Sequence, residues 1–201
     1  MMLEWLISID HELYFLLNGR LHNPFFDTVM TATTTQENWY AVLLGIWVAM
    51  IIWGGRKGRL AAVMLVIGIG LSDQISCALL KPLIGRLRPI NALPEEQYRL
   101  IVGHSKAFSF PSAHAANSFT MATIGAWASP RWLKPILFIA AAFVAYSRIY
   151  VGVHYPFDAL AGALIGVGSG WLTIWGIRSA WEWWERRRGR AKAGAGEAAC
   201  D

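Results

Sequence analysis

Residues 159–177 read ALAGALIGVGSGWLTIWGI and contain no charged side chain. An α-helix rises about 1.5 Å per residue and the hydrocarbon core of a bilayer is about 30 Å thick, so a run of this length predicts a membrane-spanning helix. A buried helix of a soluble bundle would show a polar face at helical spacing, and this run has none. The whole chain is therefore interpreted as a membrane protein.

Four further apolar runs precede this segment. They are residues 39–54, 60–80, 111–130 and 135–153. Asp73 and Arg148 are the only acidic or basic residues within them, apart from His114 when it is protonated. With its flanks, each run is near the length that crosses a bilayer. The pattern predicts an all-α integral membrane bundle with five transmembrane helices in a core of residues 39–178.

The composition excludes several other classes of protein. The 201 residues are 55% hydrophobic, with 11 Trp, 9 Phe and 6 Tyr, which excludes intrinsic disorder and an ordinary soluble domain. Cys77 and Cys200 are too few and too scattered for a disulfide scaffold. The net charge of +5 does not indicate nucleic-acid binding, because the basic residues separate apolar runs and form no soluble basic face. The chain is therefore expected to lie in a lipid bilayer.

The two ends differ from the core. Residues 1–37 mix apolar and charged side chains, which favours interfacial helices, although a sixth span within residues 13–35 stays open. Residues 186–201 (RRRGRAKAGAGEAACD) form a basic, small-residue stretch that is predicted to be a disordered cytoplasmic tail. Residues 1–185 then make one membrane domain.

Lysine and arginine are unequally distributed between the two sides that alternating helices define. Eleven of the 18 fall on one side and six on the other, so the positive-inside rule predicts that the first side is cytoplasmic. The six outward basic residues are Lys81, Arg86, Arg88, Arg99, Lys106 and Arg148. The sequence predicts a multi-pass inner-membrane protein. The side that carries the six basic residues is predicted to face away from the cytoplasm.

A set of polar residues ends or begins the apolar runs on that outer side. Its members are Lys81, Arg88, Ser112, His114, Arg148, His154 and Asp158. Alternation of the helices predicts that all of them meet at one membrane face.

This set has the chemistry of a phosphate site. Lys81, Arg88 and Arg148 are cationic donors, and guanidinium groups match tetrahedral oxyanions through paired hydrogen bonds. Ser112 follows Pro111 and precedes an uninterrupted run, so it can cap that helix. The N–H groups of Ala113 and His114 would then point at an anion.

Two histidines and a carboxylate supply what phosphoryl transfer requires. His114 and His154 can provide a nucleophile and a proton donor for the leaving oxygen. Asp158 lies four residues after His154, within reach on a helical turn. A carboxylate on one imidazole nitrogen fixes the tautomer and leaves the other nitrogen able to attack.

These residues fall into three spaced blocks. The blocks are Lys81-(six residues)-Arg88-Pro89, Pro111-Ser112-Ala113-His114, and Ser147-Arg148-(five residues)-His154-(three residues)-Asp158. In this order they closely resemble the three-part signature of the type 2 phosphatidic acid phosphatase superfamily, over about residues 70–170. The resemblance implies a helical membrane phosphatase that removes phosphate from lipid phosphates or diphosphates, without metal or other cofactor.

The resemblance also implies roles for the residues. His154 would be the nucleophile that becomes phosphorylated, Asp158 its orienting partner and His114 the acid for the leaving group. The phosphoryl oxygens would be held by Lys81, Arg88, Ser112 and Arg148. The family usually has glycine where this chain has Ala113, whose N–H can still contact an oxyanion if its φ is negative.

The sequence leaves the substrate open. Undecaprenyl diphosphate or a related polyprenyl carrier is favoured for a small protein that faces outward, and phosphatidylglycerophosphate, phosphatidate and lipid A phosphates are alternatives. A vanadate-dependent haloperoxidase is disfavoured, because those proteins are soluble and larger. A catalytically silent lipid-phosphate binder or transporter is the alternative from another class, and the sequence does not specify an oligomeric state.

Several other residues carry secondary predictions. Asp73 is either functional or part of a structural ion pair with a basic residue. Arg86 is interpreted as an interfacial charge more than as a phosphate donor. Gly162, Gly166 and Gly170 recur every four residues and predict close helix packing. The isolated histidines, His11, His22 and His104, are expected to be packing groups.

Overall fold

The computed structural model describes residues 2–20, 22–103 and 108–197, with side chains described between residues 4 and 187 of those ranges. Within these ranges the chain is helical and forms no strand, only an isolated bridge between Leu87 and Phe108. The α-helices are α1 (Met2–Tyr14), α2 (Pro24–Thr34), α3 (Tyr40–Ile52), α4 (Gly55–Asp73), α5 (Lys81–Ile84), α6 (Pro89–Ala92), α7 (Ala113–Ala128), α8 (Leu133–Tyr150) and α9 (Pro156–Glu197). Two π-helices (Phe15–Arg20, Gln74–Leu80) and two 3₁₀ turns (Gln36–Asn38, Glu95–Gln97) connect them.

The five apolar runs correspond to α3, α4, α7, α8 and α9, which confirms the all-α membrane bundle. Three helical stretches are long and apolar enough to cross a membrane: Gly55–Ile84, Leu133–Tyr150 and Pro156–Arg187. Helix α3 is a shorter apolar helix of 13 residues, and α7 has 16. Five crossings stay a prediction.

Helix α7 lies at the centre of the bundle and packs against α4, α8 and α9. The contact with α9 is closest at the three spaced glycines. A Cβ on Gly162 would lie 3.0 Å from the Cβ of Ala115, and a Cβ on Gly170 would lie 2.7 Å from that of Thr123. The glycines therefore let two backbones approach, and the prediction of close helix packing is confirmed.

The N-terminal region folds as two helices on the side of the bundle where α8 ends and α9 begins. Helix α1 packs on α9, and α2 packs on α8. Asn23 begins α2, where its side chain accepts a hydrogen bond from the N–H of Phe26 (2.9 Å). Because Pro24–Thr34 is a separate helix of 11 residues, residues 13–35 do not form one continuous span.

Helix α9 continues to Glu197, whereas the sequence predicted disorder from residue 186. Propagating an existing helix avoids the cost of nucleation, so an apolar helix can extend into a polar sequence. Arg178 pairs with Glu182 at 4.0 Å, and the indole of Trp181 donates to Glu185 at 2.7 Å, both at helical spacing. Residues 198–201 lie outside the described part of the chain.

Candidate active site

The first turns of α7 and α9 meet at Ser112. The N–H of Ser112 donates to the backbone carbonyl of Asp158, with 3.0 Å between N and O. Its side chain accepts from the N–H of Ala115 at 3.5 Å, so the predicted helix cap is confirmed. The glycine contact between α7 and α9 thus brings the Ser112–His114 block beside the His154–Asp158 block.

Two backbone N–H groups at the start of α7 have no acceptor within the described part of the chain. They belong to Ala113 and His114, in the first turn after Ser112. No described residue other than glycine has a positive φ, so Ala113 occupies the family's usual glycine position with negative φ. Its N–H group therefore keeps a first-turn orientation suited to an oxyanion.

Three cations lie near enough to His114 for their charges to act on it. The charges of Arg148, Lys81 and Arg88 all act on its imidazole, together with His154. These residues come from α8, the start of α5 and the connection after Gly85. Gly85 ends α5 at φ +64°, which glycine adopts readily, and turns the chain toward Arg88. The structure brings the predicted cationic set together.

Arg88 and Arg148 are buried guanidinium groups. They are 7% and 8% exposed, and neither forms an ion pair with a carboxylate among the described side chains. Arg88 donates to the carbonyl of Phe108 at 3.3 Å, and Arg148 donates to the carbonyl and hydroxyl of Thr34. Buried cations that lack an ion-pair partner are costly, so this pair is suited to an anionic ligand.

His154 and Asp158 lie side by side in a buried position. His154 is 1% exposed, Asp158 is fully buried, and Nδ1 of His154 is 3.5 Å from Oδ2 of Asp158. Oδ2 of Asp158 also accepts a hydrogen bond from the N–H of Tyr155 at 2.8 Å. Burial lowers the pKa of His154 to about 4, although Asp158 opposes that shift. The imidazole is therefore neutral near pH 7 and can present a lone pair.

Arg86 forms ion pairs with two buried carboxylates, a role that neither sequence interpretation of this residue, interfacial charge or phosphate donor, included. Its guanidinium pairs with Oδ1 of Asp158 at 2.9 Å and with Oδ2 of Asp10 at 2.6 Å. Asp10, in α1, also accepts from the N–H of Phe157 at 2.8 Å. Asp10 was not predicted as a site residue from the sequence, although an acidic side chain within the largely apolar stretch LISIDHELYFLL is itself a signal.

Arg99, another of the basic residues predicted to face outward, also has an ion-pair partner. It pairs with Asp27 of α2, which accepts a further hydrogen bond from Tyr150 at 2.8 Å. Arg99 holds the pKa of Asp27 well below its usual range, to about 2. This cluster fastens α2 to the end of α8 and is structural. Lys106 lies outside the described residues.

The other singled-out polar residues have local partners. Asp73 accepts a hydrogen bond from the amide of Asn117 at 2.9 Å, so its contact is with an amide and not with a basic residue. His11 stacks on Tyr155 with 5.0 Å between ring centres, and Nδ1 of His22 lies 2.6 Å from the carbonyl of Gly19. His104 is outside the described residues.

No metal centre is formed by the described side chains. Among them, no group of three or more His, Cys, Asp and Glu residues is arranged to hold a metal ion.

Comparison with known proteins shows the family to which the chain belongs. A sequence profile of the PAP2 superfamily matches residues 59–182. The chain is 38% identical over 180 residues to a lipid A 4'-phosphatase of Bacteroides thetaiotaomicron, covering 85% of this chain and 78% of that protein. It is 36% identical over 94 residues to an undecaprenyl-diphosphatase of Sulfolobus acidocaldarius, covering 47% of this chain and 45% of that protein.

A solved structure has the same fold. The crystal structure of Aquifex aeolicus LpxE superposes with a TM-score of 0.68 and 31% identity, covering 81% of this chain and 93% of that one. The chain thus belongs to the PAP2 superfamily, and it is a helical membrane lipid phosphatase.

Proposed function

We propose that the chain hydrolyses the phosphate of a membrane lipid without a metal ion, through a phosphohistidine formed on His154. The observation that carries this proposal is the pairing of a buried neutral imidazole with two buried guanidinium groups that have no described carboxylate partner. In this arrangement the cations bind the phosphate and the imidazole attacks it.

In the first step Nε2 of His154 attacks phosphorus. A P–N bond forms, the ester P–O bond breaks, and the departing oxygen takes a proton from His114, which carries that proton once the phosphate anion offsets the charges of the three cations. Charge on the equatorial oxygens is stabilised by Lys81, Arg88 and Arg148 and by the N–H groups at the start of α7. A hydrogen bond from Nδ1–H of His154 to Asp158, whose Oδ2 lies 3.5 Å away, would keep Nε2 as the nitrogen with the lone pair.

In the second step water attacks the phosphohistidine. His114, now neutral, accepts a proton from that water, the P–N bond breaks and inorganic phosphate leaves. Both histidines return to their starting protonation states, so the cycle needs no further reactant than water.

The first candidate substrate is a glycolipid phosphate of the lipid A type. It is supported by similarity to a lipid A 4'-phosphatase over 85% of the chain. Undecaprenyl diphosphate, the favoured substrate on sequence grounds, is the second candidate and is supported by similarity over 47% of the chain. In both cases the lipid tail would stay in the bilayer while the phosphate meets the cations.

A panel of lipid phosphates in detergent, assayed for released phosphate in excess chelator, tests this function. We expect release from lipid A or undecaprenyl diphosphate at many times the rate from a water-soluble sugar phosphate. The variant His154→Ala is the matched control and should release none. No release by the unmodified protein from any lipid would favour the silent binder, and loss of activity in chelator that magnesium restores would contradict the metal-free reaction.

We also propose that the protein lies in the inner membrane with this site on the outer side, on the basis of the lysine and arginine distribution. Glu95 and Glu96 are exposed in a 3₁₀ turn of the connection after α6. Cysteine introduced at either position should react with an impermeant reagent from outside the cell, and a reporter fused after Asp201 should be active in the cytoplasm. The opposite pattern would reverse the orientation.

A further inference from the structure

Arg86 lies between two buried carboxylates. One nitrogen is 2.9 Å from Asp158 and the other is 2.6 Å from Asp10, and its guanidinium also lies 4.0 Å from the ring centre of Tyr155. Asp158 is fully buried and Asp10 is 1% exposed. The donors of Arg86 are thus directed at the protein's own carboxylates, unlike those of Arg88 and Arg148.

The contact with Asp158 determines where its second oxygen points. A carboxylate is planar, so holding Oδ1 on Arg86 directs Oδ2 toward the N–H of Tyr155 (2.8 Å) and toward Nδ1 of His154 (3.5 Å). Without Arg86, Asp158 would be a buried anion with no cation on Oδ1. Such a group turns toward other donors or takes up a proton, and either change would disturb its contact with His154.

Asp10 holds the opposite side of this arrangement. Its Oδ1 accepts from the N–H of Phe157, one of the first-turn N–H groups of α9 that no carbonyl within the helix can satisfy. Its Oδ2 contacts Arg86, so one carboxylate of α1 binds both the start of α9 and the guanidinium. Asp10 lies outside residues 59–182, the range that the family profile matches.

We infer that Arg86 and Asp10 are positioning residues for the reaction: Arg86 holds Asp158 in the orientation that aligns His154, and Asp10 of the N-terminal helix holds Arg86. This inference rests on the proposed function of His154 as nucleophile. Because the donors of Arg86 contact Asp158 and Asp10, we expect both residues to act on the rate of the chemical step and not on substrate binding.

The test is steady-state kinetics of the full chain in detergent on the best substrate of the lipid panel. Arg86→Gln should lower kcat roughly 10- to 100-fold, a part of what acid–base groups contribute, and should change KM by less than about threefold. Arg86→Lys keeps the charge and should lose less than Arg86→Gln. Asp10→Asn keeps an acceptor for Phe157 and should lower kcat by an intermediate factor.

Two further comparisons separate positioning from general destabilisation. Because Asp10 acts through Arg86, adding Asp10→Asn to Arg86→Gln should cause little further loss of kcat. Arg99→Gln is the matched control, since it also removes an ion pair on this side of the molecule but does not contact Asp158. The backbone at Arg99 stays held by Asn18, so this variant should keep nearly full kcat.

Each outcome is decisive. A rise in KM with unchanged kcat in Arg86→Gln would make Arg86 a phosphate donor and overturn the inference. Full activity of Arg86→Gln, additive losses with Asp10→Asn, or an equal loss in Arg99→Gln would overturn it as well. If the unmodified protein is active and His154→Ala is not, these failures leave the proposed function intact. If the unmodified protein releases no phosphate, the proposed function fails and the positioning role fails with it.

Discussion

The backbone N–H of Ser112 donates to the backbone carbonyl of Asp158 at 3.0 Å, which ties the start of α7 to the start of α9. One of these helices carries His114, and the other begins just after His154. The bond is possible because Gly162 approaches the Ser112 carbonyl so closely that a Cβ would collide with it. Close packing of the two helices is therefore a condition for bringing the two histidines together.

Gly166→Ala tests that condition. A Cβ there would collide with the carbonyl of Ala116 and lie 2.8 Å from the Cβ of Phe119. We expect a loss of stability of about 1–3 kcal/mol from overpacking, with a loss of activity. Gly168→Ala is the control, because a Cβ at Gly168 has no atom within 4 Å outside its own helix and chain neighbours. Equal thermal unfolding and equal phosphate release by the two variants would contradict the packing account.

The pH dependence of the reaction should reflect the burial of His154. Its pKa is lowered from 6.5 to about 4, so the neutral, nucleophilic form persists as the pH falls and is lost only near pH 4. The unfolded chain binds this proton near pH 6.5 and the folded chain only near pH 4. The folded state therefore also loses stability as the pH falls from about 6.5 to about 4.

The acid limb of kcat/KM is the measurement for His154. An alkyl and an aryl phosphate have different phosphate pKa values, so a limb shared by both belongs to the enzyme. We expect that shared limb near pH 4. A shared limb near pH 6.5 would mean that His154 titrates as an exposed histidine.

The two histidines should respond differently to the leaving group. If His114 only protonates the departing oxygen, its contribution of roughly 10²–10⁴-fold should shrink when that oxygen is a stable anion. His114→Ala should then be severely impaired on a lipid alkyl phosphate and partly recovered on an aryl phosphate with an acidic phenol. His154→Ala should stay inactive on both, and recovery by His154→Ala alone would reverse the two roles.

Much of the fold and of the site could be predicted from local properties of the sequence. Hydrophobic length is local, so the five apolar runs indicated five helices without knowledge of their packing. Alternating direction then placed Lys81, Arg88, Arg148 and the His114 and His154 blocks on one side. The structure brings these residues together around His114.

The partners of Arg86 could not be predicted in the same way. Arg86 and Asp158 are separated by 72 residues, and Asp10 and Phe157 by 147, so no spacing rule connects them. From sequence alone, a charged residue in a connection between helices has the same pattern whether it contacts phosphate, lipid headgroups or a buried carboxylate. The C-terminal end of α9 differs from the predicted disordered tail for another reason. Helix propagation depends on the preceding apolar helix and not on the composition of the basic segment alone.

Trapping the phosphorylated protein tests the central claim most directly. The unmodified chain is mixed with a lipid substrate labelled at its phosphate with ³²P and quenched within the first turnover in alkaline denaturant, because phosphohistidine is labile in acid. We predict label on the protein, mapped to His154 by peptide analysis, with none in His154→Ala and some retained in His114→Ala on the aryl phosphate. Label on another residue, or a labelled and active His154→Ala, would contradict the account.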